Sequence, residues 1–396
     1  MTAAMKKPNR REFLSLTSAA AFGTFAVPGI LRAAVRSLTR QRVLIGSHAP
    51  DGILAFDWDP ANATLTPAGV AAKVPQVARI ALSGGFVYSA SELDTFEGKP
   101  TGEVASFRVM DEGLQPLSAC NSAGVGTCHV ALDETGRVLL SADYGGGTAG
   151  FFLVTEGRLR LVRRLYYAGH GPNPDRQQTA HAHFASFSPD NRFAYINDLG
   201  GDCIHIYGLN FPPPYPPDAP ILHVGEPGLI EAGTYRGAPG SGPRTLHFHP
   251  NRRTAYCMNE LVSTVDVLDW HKADGSLTLV NTIKLLPPDS TGTSTGCDTV
   301  ITRDGRFVYF ANRGDNFLYA FKADFATGRL TPMKRSNCGG KTPRNFTLDP
   351  TERWMLVANQ DSNLISVFAR DPETGLLADA VKSSVDVEAP MRILFV

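Results

Sequence analysis

Apolar and polar positions along the chain alternate in short runs, and the runs recur. Five 14-residue segments align without gaps: LDETGRVLLSADYG (132–145), FSPDNRFAYINDLG (187–200), FHPNRRTAYCMNEL (248–261), ITRDGRFVYFANRG (301–314) and LDPTERWMLVANQD (348–361). Successive segments start 55, 61, 53 and 47 residues apart. Each passes from the end of an apolar run through a Pro/Asp/Asn/Gly turn into an alternating Tyr/Val/Phe/Leu run. A third run follows, such as CIHIYGL (203–209) or FLYAFKA (317–323), and a fourth often follows a turn of the type TGRL (327–330). Two weaker copies come first: VLIGSHAPDGILAFDWD (43–59), and LSGGFVYSASEL (82–93) with one deletion. No sustained 3.6-residue period competes.

Seven units of four strands in about 350 residues predict an all-β fold, a seven-bladed β-propeller with four-stranded blades. A sandwich needs only about seven strands in all. The closing PMRILFV (390–396) is predicted to pair with the blade begun near Val43. That joins the N- and C-terminal strands, closes the ring and hides its edges. The propeller then occupies 43–396. The insertion at 209–228, LNFPPPYPPDAPILHVGEPG, reads as a polyproline-like rim loop.

The repeat also carries geometry. In each unit the first two strands form a hairpin, and the residue four places before the segment should face its thirteenth residue. The predicted pairs are Cys128–Tyr144, His183–Leu199, Arg244–Glu260, Cys297–Arg313 and Arg344–Gln360. Equivalent positions of successive blades converge on the central channel, so His183, Arg244, Glu260, Arg313 and Arg344 are expected at one mouth. Crowded arginines need a ligand or water there, and their forks suit a carboxylate or phosphate. Gln360 and His181 complete the expected substrate-binding set, His181 by sharing a strand face with His183.

Other polar positions carry less. The sixth residue of every segment is Arg (Arg137, Arg192, Arg253, Arg306, Arg353), which suits a turn or inter-blade contact at the opposite end from the polar column. The twelfth is Asp or Asn, Asp198 among them, suited to bonding the backbone where the strand ends. His181/His183 and His247/His249 each place two imidazoles on one face. Neither has a third ligand at a recognisable spacing, so no metal and no cofactor are expected. Cys128 and Cys297 lie in the arginine column, where packing is the expectation for buried thiols.

Charge narrows the partners. Lys+Arg and Asp+Glu are both 38, so no basic excess points to nucleic acid or an anionic membrane. Six cysteines without a CxxC make neither a zinc ribbon nor a disulfide framework. The first 34 residues have another pattern. Lys6, Lys7, Arg10 and Arg11 precede a mildly apolar stretch, Phe13 to Val27, and the small residues Ala33-Ala34. NRREFL (9–14) reads as a twin-arginine export signal, which predicts recognition by that export machinery, a periplasmic product and no stable membrane anchor. Cleavage after Ala34 leaves 33 basic against 37 acidic residues.

The strings SGPRTLHFHPNRRTAYCMNELVSTVDV (241–267), HAHFASFSPDNRFAYINDLGGD (181–202), TPRNFTLDPTERWMLVANQDSNLISVF (342–368) and TRDGRFVYFANRG (302–314) resemble the seven-bladed propeller lactonase family. That family includes a bacterial 6-phosphogluconolactonase and a fungal carboxymuconate lactonizing enzyme. The resemblance runs from about residue 43 to 396. It implies lactone chemistry at the channel mouth, and its HaH, GPR and NEL motifs carry over to His183, Arg244 and Glu260. The family commonly has His after GPR; here that residue is Thr245. The expected activity is hydrolysis of an anionic or sugar-type lactone. Glu260 would be general base, Arg244 with Arg313 or Arg344 would stabilise the oxyanion, and His183 would protonate the leaving alkoxide. The alternatives are a lactonizing cycloisomerase and a non-catalytic propeller that binds sugar acids.

Overall fold

The alternating runs become 28 strands, numbered β1 to β28 in chain order, in a computed structural model that describes residues 41–210 and 228–396. The export segment and most of the proline-rich insertion lie outside the described residues. The strands form seven four-stranded antiparallel sheets. Their first strands contact one another in sequence around the channel: β4 (Val77–Ser83), β8 (Thr127–Leu132), β12 (Ala182–Phe187), β16 (Pro243–Phe248), β20 (Thr295–Ile301), β24 (Pro343–Leu348) and β28 (Pro390–Phe395). Second strands such as β13 (Phe193–Asp198) and β17 (Thr254–Asn259) are buried throughout, whereas outer strands such as β19 (Leu277–Lys284) are largely exposed. Hence second strands read as nearly continuous apolar runs and the fourth as polar.

The seventh sheet runs β28-β1-β2-β3 and joins the chain ends. Val43 faces Phe395, Leu44 faces Leu394 and Ile45 faces Ile393 across β1 (Gln41–Ser47) and β28. The expected closure is therefore present. The side chain of Asn345 accepts a bond from Ile393 N at 2.9 Å and fastens this strand to the blade before it.

Blades are tied to each other by the tyrosines of the repeat. Tyr195, Tyr256 and Tyr309 donate to the carbonyls of Gly275, Gly328 and Gly375 in the next blade, at 2.8, 2.7 and 2.6 Å. Gly275 needs to be glycine twice over: its φ is 77°, and a Cβ there would lie 2.5 Å from the Phe193 ring. The recurrent arginine does make inter-blade contacts: Arg192 donates to Lys272 O at 3.2 Å and Arg306 to Pro372 O at 3.0 Å.

One feature departs from the sequence reading. The pairing of each of the seven first strands shifts register at the same level. The residues at these bulges are Ala78, Cys128, His183, Arg244, Cys297 with Asp298, Arg344 and Met391. Pro243 therefore faces Asn259, Thr245 faces Met258, and Glu260 N bonds Gly242 O at 2.8 Å. Arg244 is not the cross-strand partner of Glu260, because an extra residue in the inner strand breaks the simple count. Such bulges re-aim side chains, and here two consecutive residues from each of six blades, with Met391 from the closing one, line the central cavity.

Candidate active site at one mouth of the channel

Two rings of residues from different parts of the repeat make the site. One is the row of bulges. The other is the position at which each second strand ends: His48, Glu92, Tyr144, Leu199, Glu260, Arg313 and Gln360. Glu260, 2% exposed, is the centre. Its Oε2 accepts from Arg244 Nη1 at 3.0 Å, and its Oε1 from Arg176 Nη2 at 2.7 Å and Arg313 Nη2 at 3.0 Å. Arg244 also bonds the His183 ring at Nε2, and His183 Nε2 lies 3.8 Å from Glu260 Oε2. Arg244 Nε donates to Cys297 O at 2.7 Å, which fixes the guanidinium.

These contacts set the protonation states. Burial alone would raise the Glu260 carboxyl, but the guanidiniums of Arg313 and Arg244 reverse this and hold it well below the usual carboxylate range. His183 moves the other way: burial, and then the charge of Arg244, hold it well below the ordinary imidazole range. A guanidinium only donates, so the ring nitrogen it meets is an acceptor and the imidazole is neutral. The cluster thus contains three arginine charges against one carboxylate. Arg313 keeps a buried Nε with no hydrogen-bond partner.

The expected residues separate into two groups. His183, Arg244, Glu260 and Arg313 come together. Arg344 lies in the same ring but turns to Glu92, 3.4 Å away, and Glu92 also pairs with His48 at 3.1 Å. His181 stacks on Tyr144, with ring centroids 4.3 Å apart and planes 10° off parallel. Gln360 opens a short 3-10 turn and bonds Thr342 O through its N–H at 2.9 Å. Among the described residues, no hydrogen bond or ion pair joins it to the Glu260 cluster. Cys128 is packed against backbone carbonyls and its thiol is pushed up, chiefly by burial, which opposes a nucleophilic role.

Two contributors escape the sequence reading. Arg176, which also donates to the Tyr144 hydroxyl at 3.0 Å, comes from the 167–181 loop, the longest connection between successive blades among the described residues. Glu92 was legible, because SASEL (89–93) aligns it with Glu260 once the deletion is allowed for.

A second layer lies one residue further along the bulges. Asp298 accepts from Asn345 Nδ2 at 2.7 Å and stands 3.9 and 4.0 Å from Arg79 and Arg392, with His247 at 3.4 Å. Thr245, where the family has His, joins this layer with a buried Oγ1 that lacks a hydrogen-bond partner. Between the layers is a small cavity of about 30 Å³ lined by His183, Arg244, Thr245, Asp298 and Arg344, more than the roughly 10–15 Å³ that one water needs.

Residues 42–395 match the family described as Lactonase, 7-bladed beta-propeller. The chain is 31% identical over 352 residues to a 6-phosphogluconolactonase of Bacillus subtilis, covering 87% of this chain and 94% of the relative. A 6-phosphogluconolactonase of Formosa agariphila is also 31% identical, over 76% of this chain and 82% of its own. Among solved structures, a periplasmic gluconolactonase of Pseudomonas aeruginosa superposes with a TM-score of 0.82 at 28% identity, covering 90% of this chain and 99% of that one. The chain therefore belongs to the seven-bladed β-propeller lactonase family.

Proposed function

We propose that the chain hydrolyses a sugar-type lactone, in the manner of a 6-phosphogluconolactonase, at the mouth built around Glu260. The observation that carries this reading is the convergence of Arg244, Arg313 and Arg176 on one buried carboxylate beside a neutral His183. Preorganised guanidiniums stabilise the oxyanion of an acyl-transfer intermediate without reorganising. The excess of positive charge suits an anionic product.

The geometry favours one change of role. Glu260 is saturated by charge-assisted bonds, and protonating it would weaken all three. His183 is the better proton acceptor. As Arg244 turns from His183 Nε2 to the developing oxyanion, that nitrogen takes a proton from the attacking water and the water oxygen bonds to the lactone carbonyl carbon. Glu260, 3.8 Å away, then stabilises the imidazolium. When the ring C–O bond breaks, that proton passes to the leaving alkoxide. One water is consumed, and the product is an aldonic acid with a free hydroxyl, which becomes the aldonate by releasing its carboxyl proton to solvent.

A panel of aldonolactones with and without phosphate, followed by pH-stat on the full chain, tests the activity and sorts the substrates. Hydrolysis of none of them overturns the reading.

We also propose export by the twin-arginine route to the periplasm, on the strength of Arg10-Arg11 and the apolar stretch after them. The Pseudomonas relative is named periplasmic. Arg10 and Arg11 both changed to Lys should leave the protein in the cytoplasm; normal export of that variant removes the proposal.

A further inference from the structure

We propose that Asp198, Cys203 and His205 bind a divalent transition ion of the zinc class, at a site on the blade that contains β12 and β13, separate from both His-x-His pairs. The three come together through one tight hairpin. Asp198 ends β13 and faces Cys203, the first residue of β14 (Cys203–Asn210). Cys203 and His205, two apart on a strand, share a face. Gly201 in the turn leaves the space open: a Cβ there would lie 2.5 Å from Asp198 Oδ2.

The ligand atoms already stand near coordination geometry. His205 Nε2 is 3.5 Å from Cys203 Sγ and 3.6 Å from Asp198 Oδ2, and all three donor atoms lie within 4.8 Å of one another. A tetrahedral zinc with bonds of about 2.0–2.3 Å sets its ligand atoms roughly 3.3–3.7 Å apart. The bonding of Asp198 is uneven in the way a ligand requires. Its Oδ1 accepts from His181 N at 2.7 Å and Gly201 N at 3.0 Å, whereas Oδ2 has no hydrogen-bond partner although the residue is 0% exposed. A buried carboxylate oxygen that accepts no hydrogen bond and has an imidazole only at 3.6 Å is costly, and a cation removes that cost.

Thiolate, imidazole and one carboxylate select zinc-like ions over magnesium or calcium. Without a cation, burial and then the Asp198 carboxylate push the Cys203 thiol up to about 12; on coordination its proton goes to solvent. Of the three ligands, His205 borders a groove of about 240 Å³ that Tyr167, Tyr207 and Glu231 also line. The Tyr167 ring stacks on His205 at 4.1 Å and holds its plane. Because Asp198 Oδ1 holds the backbone of His181, an ion on Oδ2 also steadies the segment that carries His183.

The test uses the full chain, stripped with a chelator and titrated with Zn²⁺ by calorimetry and with Co²⁺ by absorption. One ion per chain, a thiolate-to-cobalt charge-transfer band and a rise in Tm with Zn²⁺ are expected. His205→Gln and Cys203→Ser should each weaken binding by more than the roughly 10–100-fold that loss of a second-layer partner costs and leave the metal-free Tm near wild type. His205 is partly exposed, so His205→Gln decides the matter even if Cys203→Ser fails to fold. No ion bound, or an ion bound equally well by His205→Gln, overturns the proposal; the first result leaves Asp198 and His205 as a plain ion pair.

Discussion

The channel holds two buried carboxylates, Glu260 and Asp298, and the fold treats them differently. Arginines meet Glu260 at 2.7–3.0 Å, and they come from two blades and the 167–181 loop. Asp298 has arginines only at 3.9–4.0 Å, and its short bonds come from Asn345 and its neighbour Thr299 N, at 2.7 and 2.9 Å. The carboxyls of both are held below the usual carboxylate range, against burial: Glu260 by Arg313 and Arg244, Asp298 chiefly by His247 and Arg79. The contrast separates a charge cluster with the dense donors that the proposed chemistry needs from one whose short bonds join neighbouring inner strands. A cleft of about 520 Å³ lined by Arg79, His129 and His247 lies on the Asp298 side, whereas the dense convergence of donors is around Glu260.

The largest expected effect comes from truncation before Pro390, which removes Arg392 from the Asp298 layer together with the strand that closes the ring. The inner edge of β1 would be bare, and Met391 and Ile393, 2% and 1% exposed, would be lost from the core. Circular dichroism should show a chain that fails to fold or melts far below wild type; an unchanged Tm would mean that closure adds little.

Next come the residues at the Glu260 mouth. His183→Gln should lower kcat by about 10²–10⁴ with Tm preserved. Glu260→Gln should lower kcat by about 10²–10³ and also loosen binding, since the arginines lose their anchor. If Glu260→Gln alone were inactive and His183→Gln retained full rate, the proton-accepting role would return to Glu260. Asp298→Asn should cost about 3–5 kcal/mol of stability, as removal of one member of a buried ionic cluster does and as Glu260→Gln also should, but here the rate per folded molecule stays near wild type.

The acid side distinguishes the two layers again. Both carboxyls have folded pKa values depressed below their unfolded ones. The unfolded chain therefore binds more protons in that interval. The stabilisation is complete above about pH 4, the unfolded range, and is lost as pH falls through the folded values. Stability should fall below pH 4 in wild type and less steeply in Asp298→Asn. Since His183 is held below its ordinary range, the acid limb of kcat/KM should lie below pH 6.5 rather than at it. The smallest effect is expected at Arg344, whose contacts are to the Glu92–His48 pair. Arg344→Ala should change kcat/KM by on the order of tenfold or less.

How far these features were legible depends on repetition. The 14-residue segments carry the strands, turns and inter-blade arginines in phase, so blade number and ring closure follow from spacing alone. The site was legible where it sits on the repeat, at His183, Arg244, Glu260 and Arg313. The bulge was not, because all seven blades share it and an alignment of the chain with itself shows no gap there. Missing it displaced the expected partner of Arg244 by one and concealed Asp298, the residue next to Cys297. Arg176 comes from a loop outside the aligned segments, so no aligned position placed it. Asp198 was rightly read as a backbone acceptor through Oδ1; its second oxygen depends on where the Cys203 and His205 side chains turn.

The most direct test of the central claim compares one arginine from each layer. Lactone hydrolysis and Tm should be measured on the same samples of Arg244→Ala and Arg79→Ala. The account predicts that Arg244→Ala lowers the rate per folded molecule by about 10²-fold or more, while Arg79→Ala leaves it near wild type whatever it does to Tm. Loss of rate in Arg79→Ala with full activity in Arg244→Ala would place the chemistry at the opposite mouth and contradict it.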